Sequence, residues 1–235
     1  TTVSSSDLVT NDTTSGETLA FSGSGTVSSA NVQNNQSITL GSIAIADGSG
    51  GGLASNYNLT TGTFDISQKW VSVGGQKIYD ATITVSSSDL EVTGEVTGES
   101  ISITGTGSVT DKNVGSGKTI NVSGLSLSDG SHSASNYTIG TTSFAITRRN
   151  LSISGEKVYD GTGTVLASQI DTINTAGGET LTISGEGSVS LPSVGTNKSI
   201  TLNTLGISDG TNGTIGLASN YTLDSGSFDI AAKPI

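Results

Sequence analysis

Apolar and polar residues alternate in short runs along most of the chain. In the last third, LSISG (151–155), TLTISGEG (180–187), SITLNTLGIS (199–208), NYTL (220–223) and SFDI (227–230) place apolar residues at about every second position. That is the period of half-buried antiparallel strands. Gly, Asn and Asp bound these runs and supply the turns. Only TVLASQIDTI (164–173) also reads as a short helix, and its counterpart TVSSSDLEVT (84–93) is the poorer helix former. The pattern predicts an all-β fold of small antiparallel modules with room for one short helix in each, sandwich-like or β-grasp-like.

Sliding the sequence along itself returns the same landmarks three times. GETLAFSGSGTV (16–27), GESISITGTGSV (98–109) and GETLTISGEGSV (178–189) are copies of one segment. LASNYNLTTGTFDI (53–66), SASNYTIGTTSFAI (133–146) and LASNYTLDSGSFDI (217–230) are copies of another. Tyr57 to Tyr137 and Tyr79 to Tyr159 each span 80 residues, and Tyr137 to Tyr221 spans 84. Length varies only between the Asp-Gly pairs at Asp47, Asp129 and Asp209 and the following Ala-Ser-Asn-Tyr, where a surface loop is expected. Such a period is too long for one coil of a β-helix or a leucine-rich repeat and suits a small β domain. The predicted modules are 1–68, 69–148 and 149–232, with 233–235 opening a fourth unit. Modules this small bury only about 60% of their unfolded surface and lean on their neighbours.

GQKIYDAT (75–82) and GEKVYDGT (155–162) open the second and third modules, and the first module lacks this strand. In LSISGEKVYD, Leu151, Ile153, Lys157 and Tyr159 share one parity, so a regular strand puts Lys157 on the buried face. Burying an unpaired ammonium is costly, and a β-bulge at Gly155, and likewise at Gly75, is the expected remedy.

Composition narrows the function. The 235 residues carry a formal net charge of -11, and the nine Lys and Arg are scattered, which argues against a nucleic-acid partner. Without cysteine there are no disulfides or thiolate metal sites. No apolar run approaches the roughly 20 residues of a membrane helix, and TTVSSSDL has no signal-peptide pattern, so no membrane insertion is expected. The absence of any methionine suggests a segment of something longer.

KVYDGT (157–162), DKNVGSGKTINVSGLSLSDG (111–130) and ASNYTI (134–139) closely resemble the YDG repeat, a relative of the MBG modules found in tandem in large bacterial surface and secreted adhesins, including filamentous-haemagglutinin-like proteins. The resemblance covers essentially the whole chain. The second module departs from it with Ala81 where the motif has Gly. The resemblance implies a β-rich stalk or adhesive array and identifies no ligand.

Several residue groups invite chemistry. Tyr79-Asp80 and Tyr159-Asp160 could form acid–base pairs, but adjacent strand residues face opposite sides; a packed Tyr bonded to a backbone group and a turn-capping Asp are expected instead. Lys77 and Lys157 with Asn136 and Asn220 form an arrangement similar to the Lys–Asn isopeptide bonds of some Gram-positive adhesins, although no acid is consistently placed to assist. The Asp-Gly loops suggest calcium at module junctions, yet lack the dense carboxylates of known calcium loops, and tight turns are the favoured reading. His132, the only histidine, sits in a variable loop and is expected to be exposed. GSGGG (48–52) is a flexible loop without the Lys-Ser/Thr of a phosphate cradle. Trp70 has no aromatic counterpart and fits either a module junction or a sugar-stacking platform.

These readings predict no catalytic, cofactor or metal site and no enzymatic activity. The expected function is structural: a stalk or repeat region of an extracellular, cell-surface adhesin serving cell adhesion, aggregation or biofilm formation. Its expected partners are other cells and matrix polysaccharide or proteins, reached through the parent adhesin, and neighbouring modules end to end. Short linkers such as SQKW and TRRN suggest a semi-rigid array. The alternative is a carbohydrate-binding module array that grips exopolysaccharide. Strand exchange at the first module, whose sheet edge lacks its opening strand, is a further expectation.

Overall fold

The computed structural model describes residues 1–10, 12–172 and 174–235. Among them the chain is built of β-strands and single 3-10 turns, and no helix is long and apolar enough to cross a membrane. It divides into two compact units: Thr1–Val71, Gly94–Ser102 and Leu127–Gly140 form the first, and Ser72–Thr93, Ile103–Ser126 and Thr141–Ile235 the second.

The third repeat lies wholly in the second unit. Its opening strand Arg149–Val158 sits between Ile170–Thr172, antiparallel, and the closing strand Tyr221–Ala231, parallel, with Gly195–Ser199 at the far edge. A second group of strands pairs Thr164–Leu166 with Glu186–Ser188, and places Glu179–Ser184 between Gly206–Asp209 and Thr214–Ile215. Alternation sends Ile153, Phe228 and Ile230 from the four-stranded sheet into a core with Val165, Val189 and Leu205 from the other elements. The same four-strand order recurs in the second repeat as Leu90–Thr93, Lys69–Ile78, Tyr137–Thr147 and Gly115–Lys118.

Several expectations need correction. The segment 164–172 is a strand, one 3-10 turn at Ala167–Gln169 and a second strand, and residue 173 of the predicted helix lies outside the described residues. Gln169 Oε1 accepts a bond from the Leu166 amide at 2.9 Å across that turn, as Asp7 does for Ser4, so the segment folds as a strand–turn–strand unit. The run 199–208 is interrupted: Asn203 takes φ 46 and the Leu205 amide bonds back to the Leu202 carbonyl at 2.7 Å, turning the chain. NYTL and SFDI are instead parts of one strand, alongside which the opening strand pairs from Arg149↔Tyr221 to Val158↔Ala231, with one register shift that skips Asp224.

The bulges expected at Gly75 and Gly155 are not there. Gly75 pairs in register with Leu90 and Gly155 with Ile170, and Gly155 also lies within an unshifted run with the closing strand, opposite Phe228. The glycines serve close approach: a Cβ on either would lie 1.9 Å from the carbonyl oxygen of Asp89 or Gln169, at the neighbouring 3-10 turn. Ala81, where the motif has Gly, adopts φ 64 beside Gly161's φ 84, so the substitution keeps the left-handed turn.

In the first unit, the first repeat pairs Thr2–Ser4 with Ser24–Thr26, Leu19–Ser22 with Ala44–Asp47, and Gln33–Ser37 with Thr63–Ile66. Val3, Val27, Ile38 and Ile43 form its core. Its closing strand is four residues long, against eleven for Tyr221–Ala231.

Candidate functional site

Without a bulge, Lys77 and Lys157 remain on the inward face, and their ammonium groups are almost entirely buried. The following turn solvates them. Lys157 Nζ donates to Asp160 Oδ2 at 3.2 Å, Thr162 Oγ1 at 3.1 Å, and the carbonyls of Thr162 and Thr164 at 3.0 and 2.7 Å. Lys77 makes the same bonds to Asp80, Thr82 and Thr84. Asp160 Oδ1 in turn accepts from the Thr162 amide and hydroxyl, and these bonds with the Lys157 ammonium hold its carboxyl down at about 2. The Asp80 carboxyl is lowered too: burial opposes this, and the bonds from Lys77 and Thr82 outweigh it. Asp thus caps the turn as expected, and each lysine is held in a local cage rather than by an asparagine.

The two motif tyrosines part company. Tyr159 is 41% exposed, whereas Tyr79 is fully buried. Tyr79 donates its hydroxyl at 2.7 Å to Glu179 Oε1, a carboxylate one hundred residues away in the third repeat, and not to a backbone group as expected. Tyr221 donates to the other oxygen at 2.7 Å, and its ring meets Tyr79 edge-on at 5.3 Å. Lys112 approaches Oε1 at 2.5 Å from a partly exposed position. Burial raises the carboxyl's pKa, but the bonds from Lys112, Tyr221 and Tyr79 outweigh it and keep Glu179 ionised. Burial, then Glu179's bonds and charge, push both phenols far up. A phenol held protonated beside a carboxylate held charged is the opposite of a pair poised for proton transfer near neutrality. The arrangement is suited to holding.

Half of it is present in every repeat. Tyr57 donates to Glu17 at 2.5 Å and Tyr137 to Glu99, as Tyr221 does to Glu179. Each hydroxyl also accepts a backbone amide, from Thr14, Val96 and Ala176 respectively. Glu17, Glu99 and Glu179 were not singled out from the sequence, although the threefold Gly-Glu preceding a strand carried the signal.

The asparagines proposed for isopeptide bonds join repeats by hydrogen bonds instead. Asn220 accepts from the Val114 amide at 2.9 Å and donates to Asn113 at 3.0 Å. Asn136 makes the same pair of bonds to Val32 and Asn31, at 2.9 and 3.0 Å. Beside each, Arg148 reaches the Ser219 carbonyl and Gln68 the Ser135 carbonyl. Asp47, Asp129 and Asp209 accept from the amides of Ala54, Ala134 and Ala218, seven, five and nine residues on, at 2.7–2.8 Å. The loop therefore changes length while its closure is kept. His132 is exposed. Trp70, 73% exposed, lies against Gly140, where a Cβ would meet its ring at 2.7 Å.

The YDG domain family model matches residues 68–144 and 147–228, more than half of the chain. The chain belongs to the YDG domain family. No curated protein and no solved structure matches it.

Acid is expected to loosen these contacts. Asp80, Asp160 and Glu179 titrate lower folded than unfolded, so their stabilisation is complete above the unfolded carboxyl range and lost as pH falls through the folded values, about 2 for Asp160. Urea midpoints should be flat from pH 7 to about 5 and fall below about 4. A midpoint unchanged to pH 2.5 would contradict this.

Proposed function

We propose that the chain is a structural repeat segment of a large bacterial extracellular adhesin, acting without catalysis to carry or present binding surfaces for cell adhesion, aggregation or biofilm formation. One observation carries this reading. Residues that recur with the repeat, the motif Tyr and the Ala-Ser-Asn-Tyr turn, hold the third repeat on the second through Tyr79–Glu179 and Asn220–Asn113. A serial holding role accounts for the Ala-Ser-Asn-Tyr turn in all three repeats and for the motif Tyr in the second and third. A second reading, that the array itself grips exopolysaccharide, is favoured by the exposed ring of Trp70 alone.

The test places the chain between a cell-surface anchor and a domain of known binding. The structural reading expects more cells captured through that domain than when it is anchored directly, equally for wild type and Trp70→Ala. Capture of polysaccharide by the chain without that domain, lost in Trp70→Ala, would replace the structural reading with the second.

A further inference from the structure

The third repeat begins and ends on neighbouring strands that run the same way. The chain enters it at Arg149, the first residue of the opening strand, and leaves it at Ala231, the last residue of the closing strand. Ten residue pairs join the two strands, from Arg149↔Tyr221 to Val158↔Ala231, and the Tyr159 amide adds a bond to the Ala231 carbonyl at 2.9 Å. At about 3.3 Å per residue this ladder is roughly 30 Å long. Entry and exit therefore lie at its opposite ends.

That placement decides how tension acts. Pulling Arg149 away from Ala231 draws the two strands past each other along their own axes, so the whole ladder resists at once. Antiparallel neighbours joined by a hairpin would instead part from one end, one pair after another. The flanking strands are tied on by shorter ladders, three pairs from Ile170–Thr172 to the opening strand and three from Gly195–Ser199 to the closing one. The long parallel seam is thus the one that spans entry and exit.

Side chains lock its register. Leu151, Ile153, Phe228 and Ile230 are all buried, and sliding the opening strand by one residue would turn its apolar set off the core. Lys157 pins the far end. Its ammonium bonds the Thr164 carbonyl, and Thr164–Leu166 is itself paired with Glu186–Ser188 in the other group of strands. A sliding strand must drag that ammonium out of its cage. Tension also arrives without slack, since Arg148 alone separates the second repeat's closing strand, ending at Thr147, from Arg149.

We infer that the third repeat is a shear clamp, a unit that keeps its fold under tension along the chain through the parallel ladder and the pinned Lys157. The inference rests on strand order and register and not on the adhesin reading.

The test pulls single molecules of the full chain, which has no cysteine, through two introduced cysteines at exposed positions of the third repeat. Asn150→Cys with Ala231→Cys loads the ladder in shear, whereas Asn150→Cys with Thr222→Cys, two facing residues, peels it from one end. Both variants are expected to melt with the wild type. At equal pulling speed the shear pair should nonetheless rupture at a force at least about twofold higher, because forced unfolding follows the barrier crossed and not the equilibrium stability. Adding Lys157→Met should lower the shear force by a larger fraction than the peeling force. Equal rupture forces in the two geometries would overturn the clamp and leave the adhesin reading standing. An equal fractional effect of Lys157→Met on both would overturn the pin.

Discussion

Replacing Glu179 by alanine is expected to destabilise the second unit by about 2–5 kcal/mol, since two buried phenol donors lose their charged acceptor at about 1–3 kcal/mol each. The carboxylate is 1% exposed and takes three bonds, from Tyr79, Tyr221 and Lys112. Its loss strands two phenols, and one of them, Tyr79, has no water to turn to. Glu17→Ala should cost far less, about 1 kcal/mol, because Glu17 and Tyr57 are only part-buried and a single hydroxyl bond is lost. Urea unfolding followed by tyrosine fluorescence would check both. Equal effects would mean that burial across the joint contributes nothing.

Lys157→Met is expected to cost about 2–3 kcal/mol, although methionine fills the same space. The loss is the set of charge-assisted bonds to Thr162 and Thr164 that ties the turn to the strand. Lys77→Met should behave alike, since its bonds match one for one. Were the ammonium a marginal passenger on the strand, methionine would be neutral or stabilising, as hydrophobic replacements of buried charges often are. Thermal unfolding of the two variants distinguishes these outcomes.

Much of the fold was legible in the sequence because it is local. Period-two alternation marked the strands, and the repeated Asp-Gly and Ala-Ser-Asn-Tyr marked the turns, which Asp47, Asp129 and Asp209 close as single-residue caps. Parity also placed Lys157 inward, correctly. The inference failed at the next step, because a strand pattern records which way a side chain points and not what waits there. The cage is made by residues three to seven positions on, through carbonyls that carry no residue signature.

The joint was less legible still. Tyr79 and Glu179 are one hundred residues apart, and nothing near Tyr79 distinguishes it from Tyr159. Their difference in burial arises entirely from what covers them. Similarly, Asn136 and Asn220 were noticed as recurrent, but recurrence alone did not separate a covalent partner from the hydrogen-bonded bridge they form.

The Lys-x-Tyr-Asp motif is architectural, and Tyr79 acts by docking onto the following repeat, whereas Tyr159 stands exposed. The most direct measurement is the change in unfolding free energy for Tyr79→Phe and Tyr159→Phe, each made in the wild type and with Glu179→Gln. Tyr79→Phe is expected to cost about 1.5–3 kcal/mol, as for a bond to a charged group, and to lose most of that effect when Glu179 is already changed. Tyr159→Phe should stay within about 0.5 kcal/mol in both backgrounds. Equal costs for the two tyrosines, or a Tyr79 effect that persists without Glu179, would contradict the docking role of Tyr79.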